Sequence, residues 1–261
     1  MTPGLIHILR SASPNHTLFM RRRRLSSGLA ALDAIIDGGI VRGRVSEIIG
    51  PIGSGRTTIA ACFVSAATRA GEVIAWIENT RSFAPADFAA SNTSLERVLW
   101  VSVDERRQLV PAPSGRLRCY RSATVFQAAE LVLKAGGFGL IVIDLGASAA
   151  PLPQSIGLRL AREAERSGAA VIVIAPHRIC GTFAALSLQL TRIEASFNRL
   201  APASPSLFGG LVIRASTVRN KLGRTGASAI ICAAIDPSTP AFMRWEDHLL
   251  LTPVRLNASN P

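Results

Sequence analysis

The sequence predicts an α/β domain, a mainly parallel central sheet with helices on both faces and antiparallel strands at one edge. Three features predict it. Short runs of apolar, largely β-branched residues recur at Val45 to Ile49, Val73 to Ile77, Val98 to Val103, Leu140 to Leu145 and Ala169 to Ala175, the pattern of strands buried on both faces. Segments with helical spacing lie between these runs at Thr57 to Ala70, Thr124 to Ala135 and Pro153 to Ser167, each with a glycine close behind. After Ala175 the rhythm changes, with strand candidates at Leu186 to Ile193, Leu211 to Val218 and Ala227 to Ile235 and little helix between them. Strands alternating with helices of this length imply βαβ units and parallel pairing, and the later returns add antiparallel strands.

From the N-terminus, residues 1–24 read as a basic arm, broken by Pro3, Gly4, Pro14 and Asn15 and closed by Arg21, Arg22, Arg23 and Arg24. Residues 25–236 form the core domain. Within it, Ala201 to Gly210 is rich in proline, serine and glycine and is expected as an exposed turn. Residues 237–261 read as a tail whose apolar cluster, around Trp245 and Leu249 to Leu251, suits docking on the core or on a partner.

A chain of 261 residues, 48% apolar and 18% charged, has enough apolar surface for one compact core. Extended disorder and a solenoid are excluded by that composition and by the lack of a repeating unit. No apolar stretch approaches the roughly 18 residues of a membrane span. The early arginines are not followed by an apolar h-region, so a cytoplasmic protein is expected. The formal charge of +12 favours polyanions, nucleic acid above all, without implying sequence specificity. Lys134 and Lys221 are the only lysines; arginine bias explains that ratio equally well, but not the net charge. Cys62, Cys119, Cys180 and Cys232 are far apart with no metal-ligand spacing, and are expected as reduced, mostly buried thiols.

The strongest chemical signal is Gly50-Pro51-Ile52-Gly53-Ser54-Gly55-Arg56-Thr57, which leaves a predicted strand and opens a predicted helix with the spacing of a phosphate loop. In such a cradle, glycines let successive N–H groups turn inward around phosphate oxygens, and the helix adds its positive end. The expected nucleotide contacts are Gly50, Gly53, Ser54, Gly55, Arg56, Thr57 and Thr58. Thr57 would also be a hydroxyl ligand to Mg²⁺. Arg56 stands where the motif has lysine; a planar guanidinium is wider than an ammonium and requires a fork-shaped partner, so binding is expected to survive better than turnover. Asp144 ends the run Leu140 to Asp144 as a Walker B carboxylate does, and is the second expected metal residue.

These residues carry a resemblance. Leu25-Ser26-Ser27-Gly28, Leu32-Asp33 and Gly38-Gly39-Ile40-Val41-Arg42-Gly43-Arg44-Val45-Ser46-Glu47-Ile48-Ile49-Gly50-Pro51 look like the entry to the RecA recombinase core. Ala75 to Pro85 is similar to that family's second-strand motif. The likeness covers about residues 25 to 235 and is most specific over the first sixty. It implies a RecA-like P-loop core with ATP and Mg²⁺ as cofactors. It also implies a catalytic glutamate at a position that holds Thr80 here. Glu78 is the one weak candidate for a catalytic base. Two strand steps cover about 6.6 Å, so it does not simply replace a base at Thr80; a buried or rim carboxylate paired with arginine is the alternative. Pro176-His177 falls where the family has a polar γ-phosphate sensor. Arg219-Asn220-Lys221 resembles a basic motif that reaches a neighbouring subunit's nucleotide, so Arg219 and Lys221 are trans-interface candidates.

The segments matching the family's two DNA-gripping loops are short, and no counterpart of its C-terminal domain is expected. A short RecA-like core with eroded catalytic positions resembles the ImuA group, also called SulA-like or RecA-like proteins. That likeness implies a damage-response role beside an ImuB-like protein and an error-prone polymerase in translesion synthesis. RecA and DNA are further expected contacts, the latter through Arg21 to Arg24, unless those arginines merely solubilise a tail. The alternative is an active DNA-dependent ATPase of the RecA or KaiC type. A cell-division inhibitor has only the SulA label in its favour.

Overall fold

The structure, a computed structural model, describes residues 24–80, 82–90, 92–103, 121–147, 149–198, 206–235 and 243–244. In chain order these form β1 (Arg24–Leu25), α1 (Ala30–Ile35), β2 (Ile40–Val41), β3 (Val45–Ile49), α2 (Arg56–Arg69), β4 (Ile74–Glu78), α3 (Pro85–Ala90), β5 (Val98–Ser102), α4 (Arg121–Ala135), β6 (Leu140–Asp144), α5 (Gln154–Ser167), β7 (Ala170–Ala175), β8 (Ala184–Asn198), β9 (Leu207–Asn220), β10 (Ser228–Ile235) and β11 (Met243–Arg244). Among the described residues the main sheet runs β11-β10-β9-β8-β3-β7-β6-β4-β5. The six strands from β8 to β5 in that order are parallel, and β9, β10 and β11 are added antiparallel. The parallel core with an antiparallel edge is the fold class expected from the sequence.

Alternation explains the two layers. In β4, Ile74 and Trp76 face one side, where they join Leu32 and Ile36 and the α2 residues Ile59 and Phe63. Ala75 and Ile77 face the other, against Val125, Phe126 and Leu133 of α4 and Leu160 of α5. Every residue of β3, β4, β6 and β7 is buried, which is why these strands read as unbroken apolar runs. At the antiparallel end α1 packs on β9 and β10, burying Ile213 and Ile231, while Ile193, Val218 and Ile230 stay exposed.

Several features differ from expectation. β8 and β9 extend well past the predicted strands, pairing from Leu186↔Asn220 to Asn198↔Leu207. Their far ends carry Arg192, Glu194 and exposed Phe197 and Phe208, a mixture that hides a strand from hydropathy. Arg24, assigned with the arm, belongs to the fold: β1 pairs with β2, and the Arg24 guanidinium donates to the carbonyls of Ile36 and Gly39 (2.9 and 3.0 Å) and of Leu222 (3.0 Å). Arg21, Arg22 and Arg23 lie outside the described residues. Met243–Arg244, placed in the tail, adds to β10. Cys62 and Cys180 are buried thiols without a disulfide; Cys119 lies outside the described residues. No helix among the described residues is long and apolar enough to cross a membrane.

Candidate phosphate site

Because β3, β7, β6 and β4 are parallel, their carboxyl ends open on one edge of the sheet, and the loops that follow them gather there. The phosphate loop leaves β3 at Gly50. Glycine is required at its two ends: Gly50 has φ 156°, and a Cβ would lie 2.5 Å from the Leu190 carbonyl oxygen. Gly55, at φ 83°, is the N-cap of α2 and would meet Ile213 at 2.2 Å. No side chain caps α2, so the first N–H groups of a 14-residue helix point into the loop unclaimed by a cap. Thr57 and Thr58 are half-buried on its first turn.

Two polar groups in this cradle are buried without any hydrogen-bond partner, Ser54 Oγ and Arg56 Nη1. The other guanidinium nitrogen, Arg56 Nη2, donates to the Gly146 carbonyl (3.1 Å) just beyond β6. The Gly146 N–H in turn donates to Asp144 Oδ1 (2.9 Å). Arg56 therefore spans from the phosphate loop to the Walker B strand, across the intervening β7. Burial pushes its pKa below the usual arginine value, and the nearby Asp144 charge opposes that shift. A second arginine, Arg192 of β8, lies over the loop with Nη1 3.3 Å from where a Cβ on Gly53 would be.

The carboxylates are committed elsewhere. Glu78, fully buried and in register with Asp144, accepts from the Ser82 N–H and hydroxyl (both 2.7 Å), the Phe83 N–H (3.1 Å) and Trp100 Nε1 (2.9 Å). It is a buried carboxylate, as the alternative expected, but its described partners are N–H and hydroxyl donors; the arginine of that expectation is not among them. The Ser82 hydroxyl also lies 3.1 Å from Asp144 Oδ2. Its one proton is shared between the nearer Glu78 and Asp144, while Thr80 Oγ1 donates to it at 3.0 Å. Burial lifts the Asp144 carboxyl above its ordinary pKa; the Gly146 and Ser82 hydrogen bonds oppose this, Glu78 adds to it and Arg56 opposes it. Thr80 is exposed and packs on Gly146, carrying no group able to take a proton from water.

Exposed His177 follows β7 at the same edge. Arg219 and Lys221 do not join the site. β9 runs antiparallel to β8, which places Asn220 level with Leu186 and hence with Ser46, at the start of β3. There Arg219 Nη1 donates to the Gly181 carbonyl (2.8 Å) and Lys221 Nζ to that of Thr182. Both cations thus lie at the opposite end of β3 from the phosphate loop.

Sequence reasoning missed Ser82, Trp100, Gly146 and Arg192, which come together only through strand register. It also missed Glu47, fully buried, whose carboxylate accepts from the N–H groups of Ile179 and Cys180 (2.8 and 2.5 Å) and the Ser187 hydroxyl (2.8 Å), fixing the loop after β7.

Nucleotide phosphates fit this donor set: uncapped N–H groups, an orphan hydroxyl and an orphan guanidinium nitrogen converge on one loop. A hydrated Mg²⁺ between Thr57 and Asp144 does not fit. The Arg56 guanidinium is anchored on the Gly146 carbonyl, and the N–H of that same residue holds Asp144 Oδ1, so fixed positive charge stands where the dication would enter.

The family model described as the RecA N-terminal domain matches residues 16–157. Curated relatives include the "Protein RecA" of Nocardioides sp. (strain ATCC BAA-499 / JS614), 34% identical over 49% of this chain and 32% of its own length. That of Deinococcus radiodurans is 31% identical over 49% of this chain and 31% of its own length. The chain thus matches about a third of the length of these relatives. Among solved structures, the crystal structure of the RadB recombinase is similar in fold, with a TM-score of 0.55 at 16% identity over 81% of this chain and 96% of that one. With a RecA/RadB-like fold and a family match over more than half its length, the chain belongs to the RecA N-terminal domain family.

Proposed function

We propose that the chain is a RecA-like accessory protein of the bacterial DNA-damage response. It supports error-prone translesion synthesis through contacts with an ImuB-like protein and an error-prone polymerase, and with DNA or RecA, in the manner of the ImuA group. Its phosphate site holds ATP weakly or structurally and does not turn it over. The observation that carries this reading is the commitment of Glu78: its buried carboxylate accepts from the Ser82 and Phe83 N–H groups, the Ser82 hydroxyl and Trp100 Nε1, and Thr80 occupies the position of the family's base. A RecA scaffold whose described site carboxylates are already held by internal donors works as a binding module. The loops at 145–153 and 176–180, short for gripping DNA, support the same reading.

The test is genetic. A strain lacking the gene should lose damage-induced mutation while homologous recombination stays intact, and the wild-type gene should restore mutagenesis. Lost recombination with unchanged mutagenesis would contradict the proposal. The second reading, a RecA- or KaiC-type ATPase, is favoured by the intact cradle with Thr57 and Asp144 at the right edge of the sheet.

A further inference from the structure

The commonest P-loop arrangement balances phosphate charge with a flexible lysine and a Mg²⁺ ion. Here both parts have a different occupant. Arg56 replaces the lysine, is nine-tenths buried, and is anchored at one nitrogen while the other has no partner. Arg192 adds a second guanidinium over Gly53, from a strand that the motif does not include. Asp144, the metal-side carboxylate, faces Gly146 N–H and Ser82 Oγ.

From this we infer that the loop binds a nucleoside diphosphate or triphosphate through its phosphates without a divalent cation, Arg56 and Arg192 supplying the charge that Mg²⁺ would otherwise bring. The inference rests on the loop being a nucleotide site and specifies how that site is charged. A guanidinium presents a planar fork that matches two phosphate oxygens, and Arg56 Nη1 is the unsatisfied arm of such a fork. With Nη2 on the Gly146 carbonyl, the side chain is held in place before ligand arrives, so little rotamer freedom is lost on binding. Ser54 Oγ, likewise buried and unpartnered, gives a neutral donor on the same loop. A dication entering beside Arg56 would be repelled in a poorly solvated site, so Mg²⁺ complexed to the nucleotide should weaken binding or leave it unchanged.

The experiment is equilibrium binding of fluorescent mant-ADP to the full chain, in EDTA and in millimolar Mg²⁺, with pyrophosphate as competitor. The expected result is an affinity in EDTA equal to or tighter than that in Mg²⁺, with displacement by pyrophosphate. Arg56→Ala should lose about tenfold or more, and Arg192→Ala, at an exposed position, several-fold. Arg56→Lys should move the site toward dependence on Mg²⁺. If Arg56→Ala fails to fold, Arg192→Ala carries the test alone. Binding that is tenfold weaker in EDTA overturns the inference but leaves a nucleotide site in place. No binding in either condition overturns both, while the accessory role, which depends on protein contacts and is read by mutation frequency, stands apart from either outcome.

Discussion

Replacing Glu78 by alanine separates a structural carboxylate from a catalytic one. The side chain is fully buried and receives three N–H donors, from Ser82, Phe83 and Trp100, besides the Ser82 hydroxyl. The hydroxyl can turn to Asp144, 3.1 Å away, so it does not enter the loss. Each buried donor left without a partner costs about 1–3 kcal/mol, and water entering the new space recovers part of that. The Phe83 N–H is buried and the Ser82 N–H and Trp100 Nε1 are part-buried, so the three together give a loss of about 3 kcal/mol, the lower end of that scale. The anchoring of Phe83 against Trp100 (ring centroids 5.5 Å apart) and Phe88 (4.5 Å) loosens as well. For a urea m-value of about 3 kcal/mol per M, the unfolding midpoint falls by about 1 M. Glu78→Gln, keeping the volume and one acceptor oxygen, should lose about 1–3 kcal/mol. Urea unfolding followed by tryptophan fluorescence measures both. A carboxylate kept for activating water would behave in the opposite way, since removing catalytic groups is commonly neutral or stabilising. A midpoint for Glu78→Ala within about 0.2 M of wild type would refute the reasoning.

Three further outcomes follow from the same geometry. Asp144 has a folded-state pKa above its ordinary value of 3.8, so the native state holds this proton more tightly than the unfolded chain does. Its contribution is therefore favourable at low pH and is lost as pH rises from about 3.8 through the raised folded value. Asp144→Asn, whose amide can donate to Ser82, should gain stability relative to wild type between pH 4 and pH 7 in thermal melts; a constant difference across that range contradicts the assignment. Arg24→Ala, which removes three donor contacts to buried or turn carbonyls, should lower stability by about 1–3 kcal/mol, whereas removing Arg21, Arg22 and Arg23 together should leave unfolding unchanged and flatten the salt dependence of DNA binding. Gly55→Asp forces a side chain at φ 83° into Ile213, and should cost about 1–3 kcal/mol and abolish mant-ADP binding, as read by urea melts and fluorescence titration.

What the sequence exposed and what it hid have physical causes. β3, β4, β6 and β7 were legible because burial on both faces demands continuous apolar residues, and the phosphate loop because glycine spacing is a backbone requirement. The placement of Asp144 at the end of β6 and of Thr57 on the first turn of α2 followed from the same local rules. α1 was not legible, since six residues from Ala30 to Ile35 span too few turns for a helical period to stand out. Its start is instead held by the Ser26 and Ser27 groups that bond Asp33, contacts that hydropathy does not register. The meaning of Arg24 depends on carbonyls up to 198 residues away, and nothing in a run of four arginines separates it from its neighbours. Likewise Arg192 reaches Gly53, and Trp100 reaches Glu78, only through strand order and register, which no local pattern encodes.

The central claim is a RecA-type scaffold that keeps a phosphate cradle and has lost the means to break the phosphate bond. Its most direct test is single-turnover hydrolysis of γ-labelled ATP by excess protein, with Mg²⁺, in the presence and absence of single-stranded DNA. The account predicts no phosphate release above the uncatalysed background under either condition. Release that is stimulated by DNA and abolished in Asp144→Asn would contradict it.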